Sequence, residues 1–285
     1  ESSRWYGEWL GSVGYSSFEE LKDDVKTFKT SIRAKGTYHI SQLLKFNFDS
    51  SVNYSLGRVQ ERFDDARLGF SVYVRDASLQ LKPHSLFTIE AGAVNQGFLN
   101  SELLVSQYLA FPGVKGSLNL KMNRFDLDII AQQVIPSSRS LNTERVGKAD
   151  MPSFRTESIN LKLARGEYAL GAFASHYQYQ HLPSIVAYES GLIGNTTGGG
   201  QEQNSYFQHE FEGYVAGTML TFPLADFMSA RVGGSVIENT NAPEGFARGS
   251  IIYGEAVLGF GRYEFKPYYT TFFNESDTSP AYYNR

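Results

Sequence analysis

The chain has 285 residues, of which 41% are apolar and 20% are charged, a composition that excludes gross disorder. It contains no cysteine, which excludes disulfide bonds and thiolate metal sites. The net charge of -4 is too small to indicate a nucleic acid as partner. No stretch approaches the roughly 18 consecutive apolar residues that a membrane-spanning helix requires.

Apolar and polar residues alternate along most of the chain, and the stretch from Val114 to Ile129 shows the pattern well. From Val114 to Met122 the even positions are apolar or glycine, and the odd positions are Lys, Ser, Asn and Lys. From Phe125 to Ile129 the odd positions are apolar and the even positions are Asp. A period of two places one set of side chains on each face of a strand. A long sheet with one apolar and one ionic face predicts a transmembrane β-barrel, with lipid outside and water inside.

The breaks between the alternating stretches are short and long in turn. The short breaks are near residues 41–42, 82–85, 123–124, 165–167, 223–226 and 261–262. The longer ones are near residues 16–26, 57–66, 96–112, 136–152, 181–204, 239–245 and 274–280. Short turns at one end and long loops at the other are typical of outer-membrane barrels. Adding a first strand near 4–15 and a last strand after Pro280 predicts one domain over residues 1–285. Its fold would be an all-β, antiparallel up-and-down barrel of about fourteen strands (roughly 12 to 16), with both termini at the short-turn end.

Two other all-β folds remain as alternatives. The spacing of about 40 residues between turns is also that of β-propeller blades, but the chain shows no repeated motif. Two long strands in each period fit a hairpin better than the four short strands of a blade. A soluble β-sandwich is the second alternative, although its strands are normally shorter.

The charged side chains occupy the face opposite the apolar positions, and we expect them to line the lumen. Burying so many charges in a dry core would be costly unless each were paired. A water-filled lumen would conduct, whereas a lumen filled with salt bridges would be a plug. The expected lining residues are Lys29, Arg33, Lys35, Lys45, Asp49, Glu90, Lys115, Lys121, Asp126, Asp128, Glu210, Glu212, Arg231, Glu255, Glu264 and Lys266.

Two groups of these residues predict stripes of opposite charge across the lumen. The basic stripe consists of Lys29, Arg33, Lys35 and Lys45, and the acidic stripe of Glu210, Glu212, Glu255 and Glu264. Opposed stripes would create a transverse field that orients dipolar solutes.

The long break at residues 97–113 is too apolar for a freely solvated loop. Its large apolar side chains fall near one face at helical spacing, and Asn100 or Ser101 could cap a helical turn. The pattern predicts a segment folded into the lumen as a constriction, formed by Leu99, Leu103, Leu104, Tyr108 and Phe111. The alternative is a loop packed on the rim or against a partner protein. Residues 17–25 show a weaker pattern of the same kind, with a capping box at Ser17 and Glu20.

Residues that could support catalysis or metal binding do not form a recognisable pattern. None of the five histidines precedes the Ser-Asn-Gly run of barrel phospholipases. His209 and Glu210 are neighbours on an expected strand and would point to opposite faces. Gly198 to Gly200 lack the following Lys and Ser or Thr of a phosphate-binding loop. We therefore expect no catalytic residues, no metal site and no cofactor.

The strand rhythm, the loop asymmetry and the placement of charge resemble bacterial outer-membrane barrels of the porin type over almost the whole chain. The resemblance implies a Gram-negative outer membrane, with the lipid bilayer and lipopolysaccharide as surroundings. It also implies transport of small hydrophilic solutes through a passive channel. One alternative is a structural or conduit barrel in a multiprotein outer-membrane or surface complex, its lumen filled or capped by a partner. An outer-membrane enzyme is the third alternative. The sequence leaves undecided whether the protein forms a homo-oligomer.

The end of the sequence departs from this pattern. Six residues from Pro280 to Arg285 fall short of the roughly nine to eleven that a spanning strand needs. Unpaired backbone groups in lipid cost several kcal/mol each. We therefore expect the edge of the first strand to need either residues that follow Arg285 or another chain.

Overall fold

The computed structural model describes residues 5–20, 23–58, 69–106, 108–136, 150–225, 227–260 and 263–284, which form almost entirely antiparallel strands. The first nine strands are β1 (Trp5–Glu20), β2 (Asp23–His39), β3 (Leu44–Arg58), β4 (Gly69–His84), β5 (Phe87–Asn95), β6 (Ala110–Met122), β7 (Phe125–Val134), β8 (Ser153–Arg165) and β9 (Tyr168–Gln180). A two-residue hairpin follows, formed by β10 (Thr197–Gly198) and β11 (Tyr206–Phe207). The remaining strands are β12 (Phe211–Ala225), β13 (Met228–Asn239), β14 (Arg248–Phe260), β15 (Tyr263–Phe265) and β16 (Tyr268–Asn274).

Each long strand pairs with the next long strand along the chain, in the order β1 to β9, β12, β13, β14 and β15. β16 continues β15 along the same edge, since Phe265 lies opposite Leu258 and Tyr268 opposite Glu255. The predicted antiparallel up-and-down topology is confirmed, and the described residues contribute fourteen strand segments to one sheet. Because β15 and β16 are in line, the described chain crosses the sheet an odd number of times. The predicted last strand after Pro280 is wrong: Ala281–Tyr283 form a buried 3-10 turn.

The connections are short at one end of the sheet, the turn end, and longer at the other, the loop end. Two-residue turns join β6 to β7 and β8 to β9, and Gly166 supplies a φ of +62° in the second. At the loop end, residues 96–109 join β5 to β6 and residues 181–210 join β9 to β12. The predicted long break at 16–26 is wrong, because β1 runs to Glu20 and β2 starts at Asp23. Most of the breaks near 57–66 and 136–152 lie outside the described residues.

The two outermost strands run in the same direction. Both β1 and β16 run from the turn end to the loop end, where β16 continues into segment 275–284. Both termini were predicted to lie at the turn end. The last described segment, residues 275–284, lies at the loop end instead. Within the described residues β1 has a ladder with β2, and no ladder joins it to β16. Both outer strands are strongly exposed: Trp9 is 80% exposed and Tyr268 is 79% exposed.

The outward face carries a band of exposed apolar side chains in the middle of the sheet. It includes Ile129, Ile159, Leu170, Leu220, Val232 and Ile252. Nearer the loop end the two faces exchange character on several strands. There β9 buries Tyr177 and Tyr179 on the inner face, while its outward His176 and Gln178 are only half-buried. The sheet is thus apolar outside at mid-height and apolar inside near the loop end.

One short helix, α1 (Ser184–Leu192), lies in the connection from β9 to β12. In the described part of the chain, no helix has both the length and the apolar content needed to cross a bilayer.

Candidate functional site

A cavity of about 1690 Å³ lies inside the sheet. It is bounded by opposite strand walls and by the connection between β5 and β6, called loop 96–109 below. Toward the loop end the lining is mainly neutral and polar, with Ser31, Asn53, Tyr73, Asn100 and Ser106. Toward the turn end the lining is charged, with Asp126, Asp128, Lys162, Arg231 and Glu255. The cavity offers a solute both hydrogen-bonding groups and charges of either sign.

The charges of the β7–β14 wall are matched across neighbouring strands. Asp126 lies opposite Lys162 on one side and opposite Lys121 on the other. Asp128 accepts a hydrogen bond of 2.6 Å from Asn119 Nδ2. Arg231 Nη1 lies 3.5 Å from Glu255 Oε2. Interspersed pairs of this kind keep the wall neutral overall. Arg231 and Glu255 are partly exposed, so such a pair contributes little stability.

The opposite wall, from β1 to β6, has its own charge pairs. Arg33 forms a two-point contact with Asp49, with an Nε to Oδ1 distance of 2.7 Å, and Asp49 is 7% exposed. Lys115 Nζ lies 2.9 Å from Glu90 Oε2, and Glu90 is 5% exposed. Lys35 and Glu8 form a looser, exposed pair at 3.7 Å.

An apolar cluster fills part of the lumen at the loop end. Loop 96–109 contributes buried Leu99, Leu103 and Leu104, which pack with inward-facing aromatic residues of the strands. Phe111 contacts Phe154 and Tyr283 edge to face, at centroid distances of 6.2 and 5.3 Å. Tyr179 stacks on both Phe154 and Tyr283. We call this group of side chains the mouth cluster.

Segment 275–284 enters this cluster from the end of β16 and is held by many hydrogen bonds. Asn195 is the main anchor: its Nδ2 donates to the carbonyls of Ser276 and Ser279, and its Oδ1 accepts from Ala281 N at 2.7 Å. Tyr283 O accepts from Ser106 N at 2.7 Å, which ties the segment to loop 96–109. Burial raises the pKa of Tyr283, so its hydroxyl remains neutral.

Loop 96–109, predicted to fold into the lumen, packs against inward-facing side chains of the strands, and its role as a constriction stays a prediction. Leu99, Leu103, Leu104 and Phe111 are buried, and Tyr108 is half exposed to the cavity. The helical content is smaller than expected: one 3-10 turn covers Gly97–Leu99 before Asn100, and a single turn closes from Ser101 to Val105. Phe111 belongs to β6 rather than to the loop.

The assignment of Glu212 to the lumen is wrong. Glu212 shares the outward face of β12 with exposed Leu220, and its Oε1 lies 3.3 Å from His176 Nε2. Glu210 precedes β12 and is exposed at the loop end. The error arose because the inner face is apolar near the mouth cluster, where Phe211 and Val215 are buried. Beside the mouth cluster, the polar residues of β12 therefore lie on the outward face.

The opposed charge stripes therefore do not form as predicted. Of the acidic stripe, Glu255 is paired with Arg231 and Glu212 faces outward. The side chains of Lys29 and Glu264 lie outside the described residues. Lys45 lies opposite Gln80 on the wall that carries Asp49. Lys121 and Lys266 are exposed toward the turn end, Lys266 lying between β15 and β16.

Sequence reasoning missed Arg75, which lines the cavity. The ladder of β3 and β4 shifts between Asp49 and Ser50, so that Asp76 and Val74 have partners and Arg75 is the extra residue of a β-bulge. A simple alternation gives no sign of a bulge inside a long strand. It also missed Asn195 and segment 275–284, whose contacts join residues more than 80 positions apart in sequence.

No protein-family model matches the chain, and no curated protein matches it. Similar folds occur among solved structures. Salmonella typhi OmpF, solved in complex with daunomycin, has 9% identity and a TM-score of 0.52, covering 94% of this chain and 97% of OmpF. Vibrio cholerae OmpT, an outer membrane protein, has 12% identity and a TM-score of 0.52, covering 95% of this chain and 88% of OmpT.

At these identities the likeness concerns the fold alone. The chain has the fold of the bacterial outer-membrane β-barrels of the porin type. The predicted resemblance is confirmed at this general level.

Proposed function

We propose that the protein is a bacterial outer-membrane channel through which small hydrophilic solutes diffuse passively. The observation that carries this proposal is a cavity of about 1690 Å³ that contains many polar and charged side chains, inside a sheet whose outward face bears an exposed apolar band. Only a lipid environment outside and water inside satisfies both faces. Lipid and lipopolysaccharide surround the band, and the loop end faces the exterior.

The mouth cluster narrows the route that a solute takes. It occupies the lumen beside β6 to β9 and β12, where Phe111, Phe154, Tyr179 and Phe211 are buried. The cavity continues past the cluster beside loop 96–109, along the wall that carries Asn53 and Tyr73. A solute therefore passes between this wall and the loop, where it meets Tyr108 and Arg75.

Solute flux into proteoliposomes tests the proposal. The purified protein should make liposomes swell in isotonic arabinose much faster than protein-free liposomes do. The rate should fall as the solute grows from a pentose to a disaccharide, because the loop leaves only part of the lumen open. Swelling no faster than in protein-free liposomes would contradict a diffusion channel.

The alternative is a structural or conduit barrel whose lumen or edge is occupied by a partner. The exposed outer strands β1 and β16 favour it, because strand edges in lipid require a partner. Purification in mild detergent distinguishes the two: a stoichiometric partner together with absent flux supports the scaffold. Neither proposal includes a catalytic step.

A further inference from the structure

A β-bulge in β4 places Arg75 in the lumen. The bulge turns Arg75 and Asp76 toward the same side, although neighbours on a regular strand point to opposite faces. Asn95 holds the bulge in place, because its Nδ2 donates to Arg75 O at 2.7 Å. Asn95 Oδ1 also accepts from Gly97 N at 2.8 Å. The same residue thus fixes the bulge and the start of loop 96–109 relative to each other.

The guanidinium of Arg75 lies over the ring of Tyr108, with Cζ 4.3 Å from the ring centroid. Stacking on the flat face of a guanidinium leaves its N–H groups directed outward from its edge. Among the described side chains, Arg75 Nε is buried without a hydrogen-bond acceptor. The nearby Asp49 is already engaged by Arg33, and Asp76 accepts from Ser78 Oγ at 2.6 Å. The buried Nε is shielded from the cavity, so the two Nη groups, for which the described residues provide no acceptor, are the donors that Arg75 offers a ligand.

The surroundings of Arg75 restrict the ligand class. The cavity next to the guanidinium is lined by hydroxyl and amide side chains, including Ser31, Asn53 and Asn100. One guanidinium matches one carboxylate in charge and in two-point geometry, whereas a phosphate dianion calls for further cations. Loop 96–109 also carries Glu102 in the lining, which is exposed to solvent and disfavours a second negative charge on the ligand.

We propose that Arg75 and Tyr108 form a binding site for a small, hydroxyl-rich monocarboxylate, such as a sugar acid, on the path through the lumen. The site rests on the proposed channel function, since the ligand reaches it through the lumen. Arg75 binds the carboxylate, Tyr108 holds the guanidinium in place, and the hydroxyl and amide groups of the wall bind the remainder of the solute.

Gluconate is the test probe, with sorbitol as the neutral compound of the same hydroxyl chemistry. Binding to the purified protein in detergent is followed by saturation-transfer NMR. Gluconate should bind with a dissociation constant of about 1 mM, and sorbitol should bind at least about tenfold more weakly. Arg75→Gln should weaken gluconate binding at least about tenfold, and Arg75→Lys should weaken it less, because a lysine keeps the charge without the two-point geometry.

Arg231→Gln is the matched control: Arg231 lines the same cavity and also has a buried Nε without an acceptor, but its Nη1 is paired with Glu255. It should change the gluconate dissociation constant by no more than about twofold. Unchanged circular dichroism and thermal midpoint establish that each variant is folded. The site is refuted if gluconate and sorbitol bind alike, if Arg75→Gln retains the affinity, or if Arg231→Gln loses as much.

The two proposals can fail separately. Arabinose flux without gluconate binding would refute this site and leave the channel intact. Gluconate binding that depends on Arg75, in a protein that passes no arabinose, would refute the channel and retain the site.

Discussion

Arg33 and Asp49 show how individual charges are accommodated on the inner face. This ion pair joins β2 to β3, and the side chain of Asp49 is 9% exposed. The Lys35–Glu8 pair joins β1 to β2 on the same wall but is more than half exposed on both sides. A charge left without its partner in a dry setting costs far more than one left in water. The two pairs should therefore differ sharply in their contribution to stability.

Asp49→Asn should lower the free energy of unfolding by about 2 to 3 kcal/mol, because Arg33 then remains half-buried without a counterion. Glu8→Gln, the control, should change it by about 1 kcal/mol or less. Urea unfolding in lipid vesicles, followed by the fluorescence of the tryptophans in β1, measures both. Equal losses in the two variants would contradict the difference in burial on which the expectation rests.

The sequence predicted the inner position of many charges but not their partners. Asp126, Asp128, Arg231 and Glu255 could be assigned from alternation, since toward the turn end the inner face carries these charges without an apolar cluster. Glu212 could not, because the mouth cluster reverses the polarity of the faces near the loop end. That reversal depends on segments from distant parts of the chain that no local pattern records.

At the scale of elements, three separate segments meet at the loop end. Loop 96–109, helix α1 and segment 275–284 share the mouth cluster, and Asn195 and Ser106 connect them. The apolar content of residues 97–113 predicted that this loop is packed, because five large side chains in one loop must be shielded from water. Segment 275–284 gave no such signal, because most of its residues are polar. Hydrogen bonds hold it, together with the burial of Tyr282 and Tyr283 in the mouth cluster.

Asn195→Ala should loosen segment 275–284 without unfolding the sheet. The substitution leaves the carbonyls of Ser276 and Ser279 and the amide of Ala281 without their partner. Hydrogen exchange followed by mass spectrometry should show faster exchange at residues 277–283 and unchanged exchange in β8 and β9. Asn204→Ala, in the same connection, serves as the control, and an equal effect there would refute the anchoring role.

Deleting residues 99–106 should raise the single-channel conductance and weaken charge selectivity, because the segment occupies part of the lumen. The deletion also removes Leu103 and Leu104 from the mouth cluster, so a second variant is needed. Tyr108→Ala keeps the cluster and opens the cavity beside Arg75, and it should raise the conductance by a smaller amount. Unchanged conductance in both folded variants would show that the loop does not limit the passage.

At the scale of the whole molecule, β1 and β16 are the outermost strands of the described sheet, and we call the place where they face each other the seam. β1 and β16 run in the same direction, so direct contact would require a parallel ladder in an otherwise antiparallel sheet. Within the described residues no ladder between these two strands is recorded. That the edge of β1 needs a further partner stays a prediction.

Disulfide trapping tests whether β1 and β16 contact each other, and the protein has no cysteine of its own to interfere. Leu10→Cys, combined in turn with Thr270→Cys, Thr271→Cys or Phe272→Cys, should form little intramolecular disulfide. Ile159→Cys with Ala174→Cys, which are direct partners in the β8–β9 ladder, should cross-link readily. Efficient trapping of any seam pair in the monomer would show that β1 and β16 close on each other.

In the proposed channel, the face carrying Asp126 borders a water-filled path, whereas the face carrying Leu127 does not. Single-channel recording in planar bilayers tests it directly with Asp126→Cys and Leu127→Cys, each treated with a charged, water-soluble thiol reagent. We expect the reagent to change the current through Asp126→Cys channels in a stepwise manner and to leave Leu127→Cys channels unaffected. A current that changes only in the Leu127→Cys variant, or a folded protein that carries no current, would contradict the account.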